Sequence, residues 1–254
     1  MVRRYVVILL ATAAASAGSA QQPTPAEWRA TTERLERAVL NDDAAGLRKA
    51  RADLLRMPTN GPSPDRAPLV HYGIAYADWR LATNSSIPQK ERTDLLDEAE
   101  RLLTKAVELD PRFAEGFALL SGVYGQKIAN APIKGFLMGS RASSAIDRAV
   151  RLEPDNPRVL INLGVSKFKT PRTFGGDAGE AESALRRAID RLSQQAASKP
   201  FPAWGRFDAH AWLGQVLARR GDKAGARLEY KRALQAAPKS GWVQYVLLPA
   251  LDKP

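Results

Sequence analysis

Four stretches of this chain repeat one hydrophobic pattern in two halves. The first half is a bulky stripe at spacings of three, one and three: Leu69, Tyr72, Gly73 and Tyr76; Phe117, Leu120, Ser121 and Tyr124; Leu160, Leu163, Gly164 and Lys167; His210, Leu213, Gly214 and Leu217. That spacing follows the period of a helix, and the small residue beside the stripe marks where a partner helix can cross. The second half is an amphipathic helix carrying two alanines seven residues apart: Ala99 and Ala106, Ala142 and Ala149, Ala181 and Ala188, Ala226 and Ala233. In three copies a proline follows five residues later (Pro111, Pro154, Pro238), where the helix cannot continue; the other copy has Ser193 there. The pattern predicts four pairs of packed helices and no sheet.

The halves are not evenly spaced. Relative to the last copy, the second helix arrives about 14 residues late in the first copy, about 9 late in the next and about 5 late in the third. These extensions predict lengthened loops along one edge. Upstream, 25–57 reads as a further helix pair, with Trp28, Leu35, Val39, Leu47, Leu54 and Leu55 on its apolar faces. Residues 58–66 hold three prolines and a glycine and read as a linker. The segment 241–254 reads as a short capping helix and tail.

The pattern closely resembles the tetratricopeptide repeat (TPR) family. The last unit, from Asp208 to Pro238, carries it most fully: Leu213-Gly214, Gly221 in the turn, then Ala226, Tyr230, Ala233 and Pro238. His210 stands where the family has Trp, and Leu217 where it has Tyr. The resemblance covers 67–240 in four helix pairs. It implies an all-α, right-handed α-solenoid of TPR-like helix pairs whose first helices line a concave groove. The family's groove positions fall on Glu115, Ala118, Gly122, Gly125 and Gln126; on Arg158, Ile161, Val165, Phe168 and Lys169; and on Asp208, Ala211, Gln215, Ala218 and Arg219. The carboxylate clamp of some TPR domains does not map here residue by residue. The loop Pro171–Asp177 also looks like one found in exported bacterial TPR proteins.

The N-terminus adds an address. Arg3 and Arg4 precede an apolar run to Ala15 and small residues up to Ala20, the layout of a cleaved secretory signal over 1–20. A periplasmic or secreted protein with no later membrane span is expected. With no cysteine there can be no disulfide, thiol nucleophile, Cys-ligated metal or lipid-anchoring Cys. Only two histidines occur, His71 and His210, both at helix positions that suit structural roles. No catalytic residue, cofactor or metal site is therefore expected, and the chain reads as a non-enzyme.

Charge narrows the partner. Residues 1–130 hold 17 Lys/Arg against 16 Asp/Glu, and residues 131–254 hold 21 against 11, so nearly all of the net +11 lies in the second half. Nothing resembles a groove-reading nucleic-acid motif, so the basic half suggests an acidic protein or peptide partner, or simply a solvated surface. Arg158, Lys169 and Arg219 are the candidate groove contacts. On the loop edge Lys134 and Arg172 flank the apolar residues Phe136, Leu137, Met138 and Phe174, which either fold back onto the bundle or form a ledge for a partner. A scaffold binding a partner through groove and loop edge is the first reading. The alternative is a small-molecule carrier or transporter accessory.

Overall fold

The computed structural model describes residues 24–59, 66–84, 86–131, 133, 135–195 and 201–253. The segment read as a signal, most of the 58–66 linker, Lys134 and the side chains of Phe136 and Leu137 lie outside the described residues. Among the described residues ten helices form five consecutive pairs: α1 (Pro25–Leu40) with α2 (Ala44–Leu55), α3 (Arg66–Thr83) with α4 (Gln89–Leu109), α5 (Ala114–Asn130) with α6 (Gly135–Leu152), α7 (Pro157–Lys169) with α8 (Ala178–Ser193), and α9 (Arg206–Arg219) with α10 (Lys223–Ala236). A π-helical turn, Trp242–Leu247, runs into a last short helix, Leu248–Ala250. No strand occurs among the described residues.

Local chemistry sets several of the helix starts. Thr24 and Glu27 form a reciprocal capping box at α1, each accepting the other's backbone N–H at 3.2 and 2.7 Å. Asp43, Asn156, Asp177 and Asp222 cap α2, α7, α8 and α10 through their side chains. At α8 only half of the box is made: Glu180 N–H donates to Asp177 at 2.8 Å, while the Glu180 carboxylate pairs with Lys167 at 2.7 Å.

Each second helix packs on its own first helix, and α2, α4, α6 and α8 also touch the first helix of the next pair. The first helices α1, α3, α5, α7 and α9 adjoin one another in a single layer, so the molecule is an α-solenoid. The small residues lie at the crossings. Ala99, Ala106, Ala149, Ala181, Ala188, Ala226 and Ala233 have no solvent exposure. A Cβ on Gly214 would come within 2.4 Å of the Tyr230 ring, so α9 and α10 can approach this closely only with glycine there.

The extensions take a form that the spacing did not predict. In the first two TPR-like pairs most of the extra residues lengthen the helices: α3 and α4 run 18 and 21 residues and α5 and α6 run 17 and 18, against 14 each for α9 and α10. Added turns on one helix face added turns on its partner, so they bury apolar surface instead of leaving backbone in solvent. Phe136, Leu137 and Met138 consequently fall in the first turn of α6, not in a loop. Between α7 and α8 a structured loop does emerge, holding the 3-10 turn Arg172–Phe174. Gly176 sits there because a Cβ would fall 1.8 Å from the Thr170 carbonyl oxygen.

Candidate functional site

The inner side of the first-helix layer is shaped by a segment that has no helical pattern. After α8 the chain returns through Phe201–Gly205 across α1, α3 and α7. Phe201 meets Trp28 and Tyr72 edge-on, with centroids 5.9 and 5.8 Å apart. Trp204 stacks on Tyr76 at 5.2 Å, and its indole N–H donates to the Tyr72 hydroxyl at 2.8 Å. The Ala203 N–H donates to Glu36 at 2.7 Å. Just beyond, Arg80 of α3 grips Asp208 of α9 through two hydrogen bonds of 2.8 and 2.9 Å. Burial pushes the Tyr72 and Tyr76 hydroxyls well above their ordinary range, so both stay protonated. This half of the groove is occupied by the protein's own chain.

The packing around α7 corrects one expectation. Arg158 is completely buried, with Glu115 3.4 Å and the Gln195 side-chain oxygen 3.4 Å from its guanidinium nitrogens. It holds the α5–α7 junction and the connection after α8 in place and does not face an incoming partner. Ile161, next on the same face, lies under Gly205.

Lys169 and Arg219 have a different setting. The Lys169 ammonium lies 5.0 Å from the Trp212 ring and 5.7 Å from Phe168, and the Arg219 guanidinium stacks 3.7 Å over Phe168 while donating to its carbonyl at 2.8 Å. Among the described residues neither cation has a carboxylate at ion-pair distance. Burial and the neighbouring Arg219 charge both lower the Lys169 pKa. The aromatic floor continues from Phe168 to Trp212 (6.3 Å), Trp242 (5.4 Å) and Phe207 (6.5 Å). Gln215, one turn along α9 between Trp212 and Arg219, has a buried side-chain N–H group with no protein partner. Lys169 and Arg219 thus stand on a partly exposed aromatic floor with no carboxylate at ion-pair distance among the described residues.

The remaining candidates lie apart. Arg172 is exposed and Phe174 is 77% exposed on the α7–α8 loop, so Phe174 does not fold back onto the bundle. Ile133, between α5 and α6, is 94% exposed, and Met138 is half-buried. Sequence reasoning missed Trp212, Trp242, Phe201 and Trp204. Trp212 stands beside the groove positions 211 and 215, and Trp242 was assigned only to a cap. Among the described residues no group of His and acidic side chains could hold a metal, and no helix is long and apolar enough to cross a membrane.

Paired helices in register, small residues at the crossings and a single layer of first helices define a tetratricopeptide-repeat fold. Among solved structures, the chain is similar to a thermophilic TPR protein of Thermus thermophilus, with 17% identity, a TM-score of 0.57, and 89% of this chain and 97% of that one covered. It is also similar to the HusA haemophore from Porphyromonas gingivalis, with 22% identity, a TM-score of 0.60, and 75% and 92% covered. In sequence it is 28% identical over 145 residues to the mouse protein O-mannosyl-transferase TMTC1 and 26% identical over 145 residues to the human protein of that name. Those matches take in 56% of this chain but span only 13% and 14% of the curated relatives' length. No family model matches the sequence.

Proposed function

We propose that this protein is a non-enzymatic scaffold, exported to the periplasm or secreted, that binds an acidic protein or peptide segment at Lys169 and Arg219. The observation that carries the reading is the pair of cations on an aromatic floor without a carboxylate partner among the described residues. An acidic side chain would meet both cations, and a neighbouring apolar or aromatic residue would lie on Trp212 and Trp242. Arg172 and Phe174 on the loop edge, with Lys134, Phe136 and Met138 of the preceding candidate stretch, supply a second contact for a folded partner. The test is capture of partners by the mature chain, followed by titration of a captured partner against Lys169→Glu and Arg219→Glu variants. Binding that survives both reversals would sink the groove reading.

A small-molecule carrier is the second reading, favoured by the same floor. A planar aromatic acid would stack on Trp212 while its carboxylates met the two cations, and the similarity to a haemophore makes a porphyrin the first compound to try. Quenching of tryptophan fluorescence by a porphyrin, lost on Trp212→Ala, separates the carrier from the scaffold.

A further inference from the structure

A second concavity lies away from the groove, where α8, α9 and α10 meet. It is an open cleft of about 510 Å³ lined by Ile189 of α8, Arg206 and His210 of α9, and Arg232, Gln235 and Ala236 of α10. Arg206 and His210 stand one turn apart on the same face of α9. On α10, Glu229 is buried beneath them and is engaged twice: the His210 Nδ1 lies 2.6 Å from one carboxylate oxygen, and the Arg232 guanidinium donates to the other at 2.6 Å. Burial works to raise the Glu229 carboxyl, but His210 and Arg232 outweigh it and hold the group below its ordinary range.

This arrangement fixes the imidazole. With an ionised carboxylate against Nδ1, the neutral ring carries its proton there, and Nε2 is the atom presented outward. Nε2 has no hydrogen-bond partner among the described residues and keeps its access to the cleft. Arg206 gives one N–H to the Leu192 carbonyl at 3.2 Å and has no carboxylate at ion-pair distance among the described residues. Both Glu229 oxygens are therefore engaged, while the Arg206 and Arg232 guanidinium groups and the His210 imidazole line the opening.

We propose that this cleft binds a phosphate group, free or as a monoester, through Arg206, Arg232 and the Nε2–H of protonated His210. Three donor groups approaching from two helices match a tetrahedral oxyanion, whose oxygens point in different directions, better than the two coplanar oxygens of a carboxylate. Ile189 and Ala236 offer the apolar wall on which an ester substituent would lie. The charged groups facing His210 are Glu229 and Arg232 from α10 and Arg206 from its own helix; α8 contributes only apolar Ile189. The site shares no residue with the Lys169–Arg219 patch and stands or falls independently of it.

The two histidines make the test direct, because His71, on α3, serves as an internal control. The imidazole resonances of the full chain are followed while inorganic phosphate, phenyl phosphate or acetate is added at constant ionic strength. The expected result is a saturable shift of His210 with a static His71, and roughly tenfold weaker binding in Arg206→Gln and in Arg232→Gln, with Lys239→Gln unchanged. Both arginines reach solvent, so these variants keep the fold. Tighter binding of phenyl phosphate identifies an esterified ligand, and equal binding identifies the free ion. A His210 signal that does not saturate, movement of both histidines together, acetate binding as well as phosphate, or indifference to both arginine substitutions would each overturn the proposal.

Discussion

Asp78 is a carboxylate with no exposed side-chain surface, paired with the Arg51 guanidinium through one oxygen, while its other oxygen has no protein partner. Burial dominates its ionisation and Arg51 offsets it only in part, so its pKa is pushed up from 3.8 to about 6. The folded chain therefore holds this proton more tightly than the unfolded chain does. The stability linked to Asp78 is full below the unfolded value and is lost as pH rises through about 6. An Asp78→Asn variant carries no such titration. The stability of the native chain relative to this variant should rise by up to about 3 kcal/mol as pH falls from about 7 to about 4, measured by denaturant unfolding at each pH. A constant difference would show that the ion pair with Arg51 compensates fully. At this scale the sequence was only partly informative. Lys169 and Arg219 were visible as groove positions, but Arg158 looked the same, and only its complete burial against Glu115 and Gln195 separates it from them.

At the level of the helix, the alanines carry the fold. Ala149 is enclosed by Ala114, Ala118, Ile146 and Val159, and Ala233 lies in the cluster that contains Tyr230 and Leu213. Leucine at either position should overpack the crossing and cost about 1–3 kcal/mol, seen as a lower denaturation midpoint at unchanged m-value. These helices were legible because their signal is local: a period, a small residue, a cap and a proline lie within one helix length. The connection after α8 was not legible, because Phe201 and Trp204 make their contacts with Trp28, Tyr72 and Tyr76, far back in the chain. The extended pairs fell between these cases. Spacing revealed the added length, but whether it became loop or helix depended on two partners lengthening together. Truncating Trp204 to alanine removes a buried ring and strands the Tyr72 hydroxyl without its donor. A loss of about 3–5 kcal/mol is expected in equilibrium unfolding.

For the molecule as a whole, the charge excess of the second half sets how a partner should respond to salt. Exposed pairs are worth only about 0–1 kcal/mol each, so a single charge reversal is a weak probe. A partner held by Lys169 and Arg219 should weaken markedly between about 0.1 M and about 1 M salt, as the screening length falls from about 10 Å to about 3 Å. Docking on the loop edge predicts the reverse, with salt tolerance and sensitivity to Phe174→Ala. Titration at the two salt concentrations discriminates between them, and an affinity indifferent to salt, to both charge reversals and to Phe174→Ala would exclude both surfaces.

The segment laid across α1, α3 and α7 also governs the order in which the molecule can be completed. In an ordinary helical solenoid each unit finds its neighbour as soon as both have been made, and assembly can follow the growing chain. Here Tyr72 waits for Trp204, Arg80 for Asp208 and Glu36 for Ala203, partners 132, 128 and 167 residues later. Until the ribosome has released residues beyond 208, the first two helix pairs stand with their aromatic face uncovered and these ionic and polar contacts unmade. The early repeats are built from local contacts, but their native environment is supplied by the last quarter of the chain, and a nascent chain stalled before that point presents Tyr72 and Tyr76 to whatever chaperone is at hand.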